Sequence, residues 1–220
     1  MGSLLKMHIE TYSQRFFSFD QSINRQPLKE GLSPPENPRR TSEELQQIFD
    51  QTFAEAFNTR LIRGDEEPIY LPADHNTPFH QVVFAHGFFS SGLHEIAHWC
   101  IAGQQRRQQV DYGYWYEPDG RTVSQQQAFE QVEVKPQALE WIFTQSSSSE
   151  TAPAKFRVSV DNLSGEATDP GPFKQAVYQQ VLVYLNEGLT GRALSFQQAL
   201  QDFYRPLRPL AIEEFQLEAL

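Results

Sequence analysis

Apolar residues recur every three or four positions from Leu45 through Ile48, Phe49 and Phe53 to Phe57. That period predicts an amphipathic helix. Thr41 and Glu44 stand at the spacing of a capping box, which places the helix start near Thr41. Residues 68–72, Pro-Ile-Tyr-Leu-Pro, read as a short extended segment. The apolar run Val82, Val83 and Phe84 predicts a buried strand over residues 81–85. The chain then turns at His86 and Gly87, and a helix is expected over residues 92–102, capped by Ser90 or Ser91 and stopped by Gly103.

An aromatic run occupies residues 111–116, and residues 117–120, Glu-Pro-Asp-Gly, form a turn. Ser124 and Gln127 repeat the capping-box spacing and open a helix through Phe143, which Pro136 should bend or break. Four serines at 146–149 predict a loop, and residues 156–160 alternate like a strand. Pro172 starts a helix that packs through Phe173, Val177, Val181 and Tyr184 and stops near Gly188. A last helix is expected over about residues 195–203. Residues 1–40 have no sustained period and end in a proline-rich run, so they predict a disordered arm. The rest, 41–220, reads as one helix-rich α+β domain with a small sheet.

Composition narrows the class. The chain has 220 residues, 39% of them hydrophobic and 13% aromatic, enough for one well-packed core. No apolar stretch is long enough to span a bilayer, and the charged N-terminus does not read as a secretion signal. The single cysteine, Cys100, can form no internal disulfide, which suits a reducing compartment and predicts a cytoplasmic protein. The net charge is -10. The acidity belongs to residues 41–220, because the first 40 carry six Lys/Arg against four Asp/Glu. An acidic globule repels nucleic acid and attracts basic partners. Nothing predicts a nucleotide cofactor.

The candidate chemistry lies in His94-Glu95-Ile96-Ala97-His98. Histidines four apart on a helix share a face, one turn apart, and their imidazoles can grip one ion. Such a pair can also be two hydrogen-bonded core residues. A metal needs a third ligand from another element. Cys100 points away from both histidines around the helix and reads as a small buried hydrophobe. On the following helix, Glu130, Glu133, Gln137 and Glu140 fall on one stripe. Glu133 sits between Val132 and Val134, an apolar frame that argues for burial, and a buried carboxylate needs a strong partner. Glu133 is therefore the chosen third ligand, with Glu130 in reserve. Two histidines and one carboxylate leave one side of an ion open. With zinc, Glu95 would take a proton from an activated water, as in metallopeptidases. With ferrous iron, the open positions would serve dioxygen chemistry.

Several segments together resemble the bacterial elongation factor P hydroxylases. They are residues 57–62, 67–73, 83–88, 94–103 (His-Glu-Ile-Ala-His-Trp-Cys-Ile-Ala-Gly), 111–116 (Asp-Tyr-Gly-Tyr-Trp-Tyr), 118–121 and 132–139 (Val-Glu-Val-Lys-Pro-Gln-Ala-Leu). The resemblance implies an oxygenase that hydroxylates the β-lysyl-extended lysine of elongation factor P. It implies Fe(II) held by His94, His98 and Glu133, with zinc as the alternative metal. It also implies a helix-borne His-His-Glu site rather than a 2-oxoglutarate oxygenase barrel. Glu95 would orient a ligand or a metal-bound water. A substrate rich in amines would suit an acidic, aromatic cleft. Asp111, Asp119, Glu130, Tyr112, Tyr114 and Trp115 are its candidate lining, with His86 at the end of the preceding strand.

Overall fold

The computed structural model describes residues 39–111, 121–150, 152–159, 169–206 and 208–220. Residues 1–38 of the expected arm, the candidates Tyr112, Tyr114, Trp115 and Asp119, and the turn at 117–120 lie outside the described residues.

The architecture is a helix-rich α+β unit. Helix α1 (Ser42–Phe57) opens on the expected capping box. Thr41 accepts from the Glu44 amide, and Glu44 accepts from the Thr41 amide. It ends at Asn58, whose φ of 48° is a left-handed cap. That tight exit leads directly into β1 (Thr59–Gly64), a strand not anticipated from the pattern. Its alternation of buried Thr59 and Leu61 with exposed Arg60 covers only three residues and breaks at exposed Arg63. Asp50 of α1 accepts the Leu61 amide at 3.0 Å, satisfying a donor of this edge strand.

Strands β2 (Ile69–Leu71) and β3 (His80–Ala85) complete a sheet ordered β1-β3-β2. β3 is central, parallel to β1 and antiparallel to β2, which is where an apolar Val-Val-Phe run belongs. Helix α2 (Phe89–Ile101) follows at once. It starts earlier than expected and has no side-chain cap. Ser90 and Ser91 lie inside it, and Ser91 Oγ instead accepts the Ala85 amide at 3.2 Å, tying helix to strand.

Helix α3 (Val123–Ser146) is about 36 Å long at 1.5 Å per residue. Its capping box is formed by Thr122 and Gln125, not Ser124 and Gln127. Pro136 does not break it. The carbonyl that loses its donor belongs to Val132, which is 60% exposed and open to water. Helices α4 (Gly171–Glu187) and α5 (Gly191–Tyr204) follow. Residues 156–159 form no strand. Ser159 exchanges hydrogen bonds with the Gln137 side chain, and Phe156 stacks on Trp141.

α3 is buried on two sides. Leu139 and Phe143 join α1, α2, α5 and the sheet in one core. Ala138, Trp141 and Ile142 join Phe156, α4 and Phe215 in a second. Within the first core, Phe49, Phe53 and Phe196 surround one another and Trp99 packs on the first two, with centroids 4.8–6.0 Å apart. Trp99 directly follows His98, so this aromatic seat sets how α2 is rolled against its neighbours. Phe49→Ala is expected to cost about 3–5 kcal/mol, measured by urea unfolding, because a fully buried ring would leave a cavity.

Candidate metal centre

α2 and α3 pack side by side, and their facing turns bring four titratable side chains together. His94 Nε2 and His98 Nε2 point at each other, 3.0 Å apart. The Glu133 carboxylate straddles them, with Oε1 3.3 Å from His98 Nε2 and Oε2 3.5 Å from His94 Nε2. Donor atoms bound to one ion at 2.0–2.2 Å stand roughly 3.0–3.5 Å from one another. These three side chains have that spacing, and they form the one such His/Cys/Asp/Glu group found among the described residues.

A second feature fits a cation here. Glu133 is 1% exposed, yet its Oε1 meets no aligned hydrogen-bond donor. A buried, unsatisfied carboxylate oxygen is costly unless something positive completes it. Burial pushes the Glu133 carboxyl up, but His98, His94 and Gln137 outweigh this and hold it below the usual carboxylate range.

Glu140 is the neighbour that the choice of ligands passed over. Its Oε2 accepts from His94 Nδ1 at 2.8 Å. That bond places the proton of a neutral His94 on Nδ1 and turns the Nε2 lone pair toward His98 and Glu133. The signal was already in the sequence, since Glu140 shares the stripe with Glu133. Only the antiparallel pairing of α2 and α3 shows that the later glutamate meets the earlier histidine. Burial disfavours a charge on His94. The hydrogen bond and charge of Glu140, with Glu95 and Glu133 behind it, prevail and push its pKa up to about 10.

The other candidates are spread around this cluster. Glu95 is half-buried and faces a cavity of about 30 Å³, room for one or two waters, beside Tyr70, Val82, His98 and Asp111. Burial pushes the Glu95 carboxyl up against the pull of His94 and His98. Asp111 is tied to that wall by paired backbone bonds to Tyr70 and an ion pair with Arg106. Glu130 lies at the end of a chain in which buried Arg121 donates to Gln126 and Gln126 donates to Glu130, and it does not join the three donor atoms. His86 is exposed, with φ of 55°, and its ring meets Phe88 rather than the cluster. Cys100 is half-buried against the first core, and burial pushes its thiol up. On the other side of His94, a recess of about 710 Å³ opens between α2, α3 and residues 154–159. No helix among the described residues is long and apolar enough to cross a membrane.

Two comparisons with known proteins bear on this geometry. The family model described as elongation factor P hydroxylase matches residues 48–215. The elongation factor P lysine hydroxylase of Haemophilus influenzae is 48% identical over 178 residues, covering 81% of this chain and 97% of that protein.

The His94 pair makes a pH prediction. Its folded pKa of about 10 lies above an unfolded value near 6.5. The stability it contributes is therefore complete below about pH 6.5 and is lost as pH rises toward 10. Chelator-treated protein should lose urea stability over that window, and Glu140→Gln should flatten the slope. Zinc or Fe(II) added at pH 8 should release about one proton per ion, read by calorimetry in buffers of different ionisation enthalpy.

Proposed function

The chain belongs to the elongation factor P hydroxylase family, and on that premise we propose that it hydroxylates the β-lysyl-extended lysine of elongation factor P. Membership of the family makes it a protein-lysine hydroxylase. The finer reading assigns His94, His98 and Glu133 as ligands to one divalent cation, Fe(II), with dioxygen as the oxidant. The observation that carries it is the convergence of two Nε2 atoms and one buried, unsatisfied carboxylate oxygen within 4.8 Å of one another. When bound, the cation supplies the redox chemistry that a side-chain hydroxylation needs.

The chain's own residues prepare that centre. Glu140 holds His94 in the tautomer whose Nε2 is free to coordinate. The aromatic seat of Trp99 fixes the turn that carries His98. Gln137, one turn after Glu133, anchors the segment at Ser159 by two hydrogen bonds and so fences this side of the helix. Glu95 is assigned to the small cavity beside His98, where it orients water or a ligand. We assign residues 41–220 as the catalytic unit, residues 1–40 as an appended arm, and the cytoplasm as its compartment.

Mass spectrometry of elongation factor P from cells with and without this protein tests the activity. The factor should be about one oxygen atom, some 16 Da, lighter in the cells that lack it. His94→Ala, His98→Ala and Glu133→Ala should each abolish both metal retention and that mass gain, with circular dichroism unchanged. Normal metal content in Glu133→Ala would remove it from the ligand set. Metal analysis separates the zinc hydrolase: zinc, with peptide cleavage lost in Glu95→Gln, would replace the hydroxylase reading.

A further inference from the structure

We propose that the recess beside His94 is the docking surface for the protein substrate, and that it selects a lysine-bearing loop ringed by carboxylates. This rests on reading the chain as an enzyme that acts on elongation factor P.

The recess, about 710 Å³, is walled by the first turn of α2, by Glu140 and Thr144 of α3, and by residues 154–159. Among the described residues that line it, Arg39, Arg40, Lys155 and Arg157 are cationic. Glu140 is the acid among them, and it is bonded to His94. Lys155 and Arg157 are exposed. Arg40 donates to the carbonyls of Ala152 and Pro153, so its charge is held in place at the rim. Phe88, 64% exposed, stands beside them on a turn where His86 and Gly87 both have positive φ. Non-glycine residues rarely adopt that conformation. An exposed aromatic at the lip of a concave surface is the kind of side chain that anchors a protein partner.

The sign of the charge identifies the partner. The chain carries -10 overall, so an acidic partner is repelled at long range. A local basic rim beside the centre is useful where that partner presents carboxylates. The floor of the recess is formed beside the rim by His94 and Glu140, whose carboxylate is bonded to His94 Nδ1. A positive collar around a floor that holds the Glu140 carboxylate complements a cationic tip inside an acidic surround. A lysine extended by a second lysyl group supplies the tip. Carboxylates flanking it on the loop supply the surround. Nucleic acid would satisfy the rim but offers nothing for the floor.

The test measures steady-state hydroxylation of β-lysylated elongation factor P, and its binding by calorimetry. Lys155→Glu and Arg157→Glu are made singly and together. Lys174→Glu on α4 makes the same change in net charge as either single variant, outside the recess. The double variant should raise both KM and Kd about tenfold or more, with kcat within about twofold of wild type. Salt should weaken wild-type binding more than that of the double variant. Lys155→Gln with Arg157→Gln should fall between, and Lys174→Glu should match wild type. Unchanged Kd in the folded double variant overturns the docking surface, as does an equal rise in Lys174→Glu or tight competition by single-stranded RNA. The two readings can fail separately. Charge-dependent binding without hydroxylation would sink the functional reading and leave the docking surface standing. Hydroxylation by variants that bind like wild type would do the reverse.

Discussion

The Glu133 carboxylate is buried to 1% exposure, and a buried negative charge has to be answered by something positive. The chain answers part of that demand by bringing α2 and α3 together so that two imidazoles flank the carboxylate at 3.3 and 3.5 Å, with Oε1 still left for a cation to complete. This requirement organises the middle of the molecule. It sets the register of the two helices, since a shift of one residue on either would turn a donor out of the cluster. It also explains Glu140, which restrains His94 from behind and leaves its Nε2 directed inward.

The rest of the fold keeps that register rigid. α3 cannot slide, because its opposite faces belong to two different cores. α2 cannot roll, because Trp99 is gripped by Phe49 and Phe53 immediately beside His98. At its C-terminal end, Arg192 of α5 donates to the carbonyls of Trp99, Cys100 and Ala102, satisfying acceptors that the helix leaves open. Its guanidinium also lies 4.7 Å from the centre of the Trp99 ring. The three-stranded sheet backs α2 from the other side, and Ser91 ties the two together. A site built on two helices held this way presents its donor atoms with little freedom to rearrange, which is what preorganisation requires.

Charge is arranged in layers around this centre. Carboxylates gather at the histidines, while arginines and lysine line the recess outside. The net charge of the chain describes neither layer. The family resemblance, with its amine-rich substrate, implied an acidic cleft, and the described wall of the recess beside His94 carries the opposite sign. Asp111 and Glu130, expected in one cleft, sit apart. The first closes the small cavity near Glu95, and the second ends a hydrogen-bond chain from Arg121.

The sequence by itself settled whatever depends on neighbours along the chain. Thr41 with Glu44 marked a helix start, because a capping box closes within one turn. Val82 to Phe84 marked the central strand, and His94 with His98 had to share a face. Glu133 stood out because its apolar flanks implied burial. Tertiary structure decided what depends on contacts between distant segments. β1 is a strand because β3 pairs with it, not because six residues announce it. Pro136 passes through α3 because packing on two sides outweighs one missing hydrogen bond. Glu140 meets His94, and Arg39, Lys155 and Arg157 gather at one recess, because helices and loops far apart in sequence fold onto the same side. Local periodicity reports which face a residue is on, and only packing reports what that face meets.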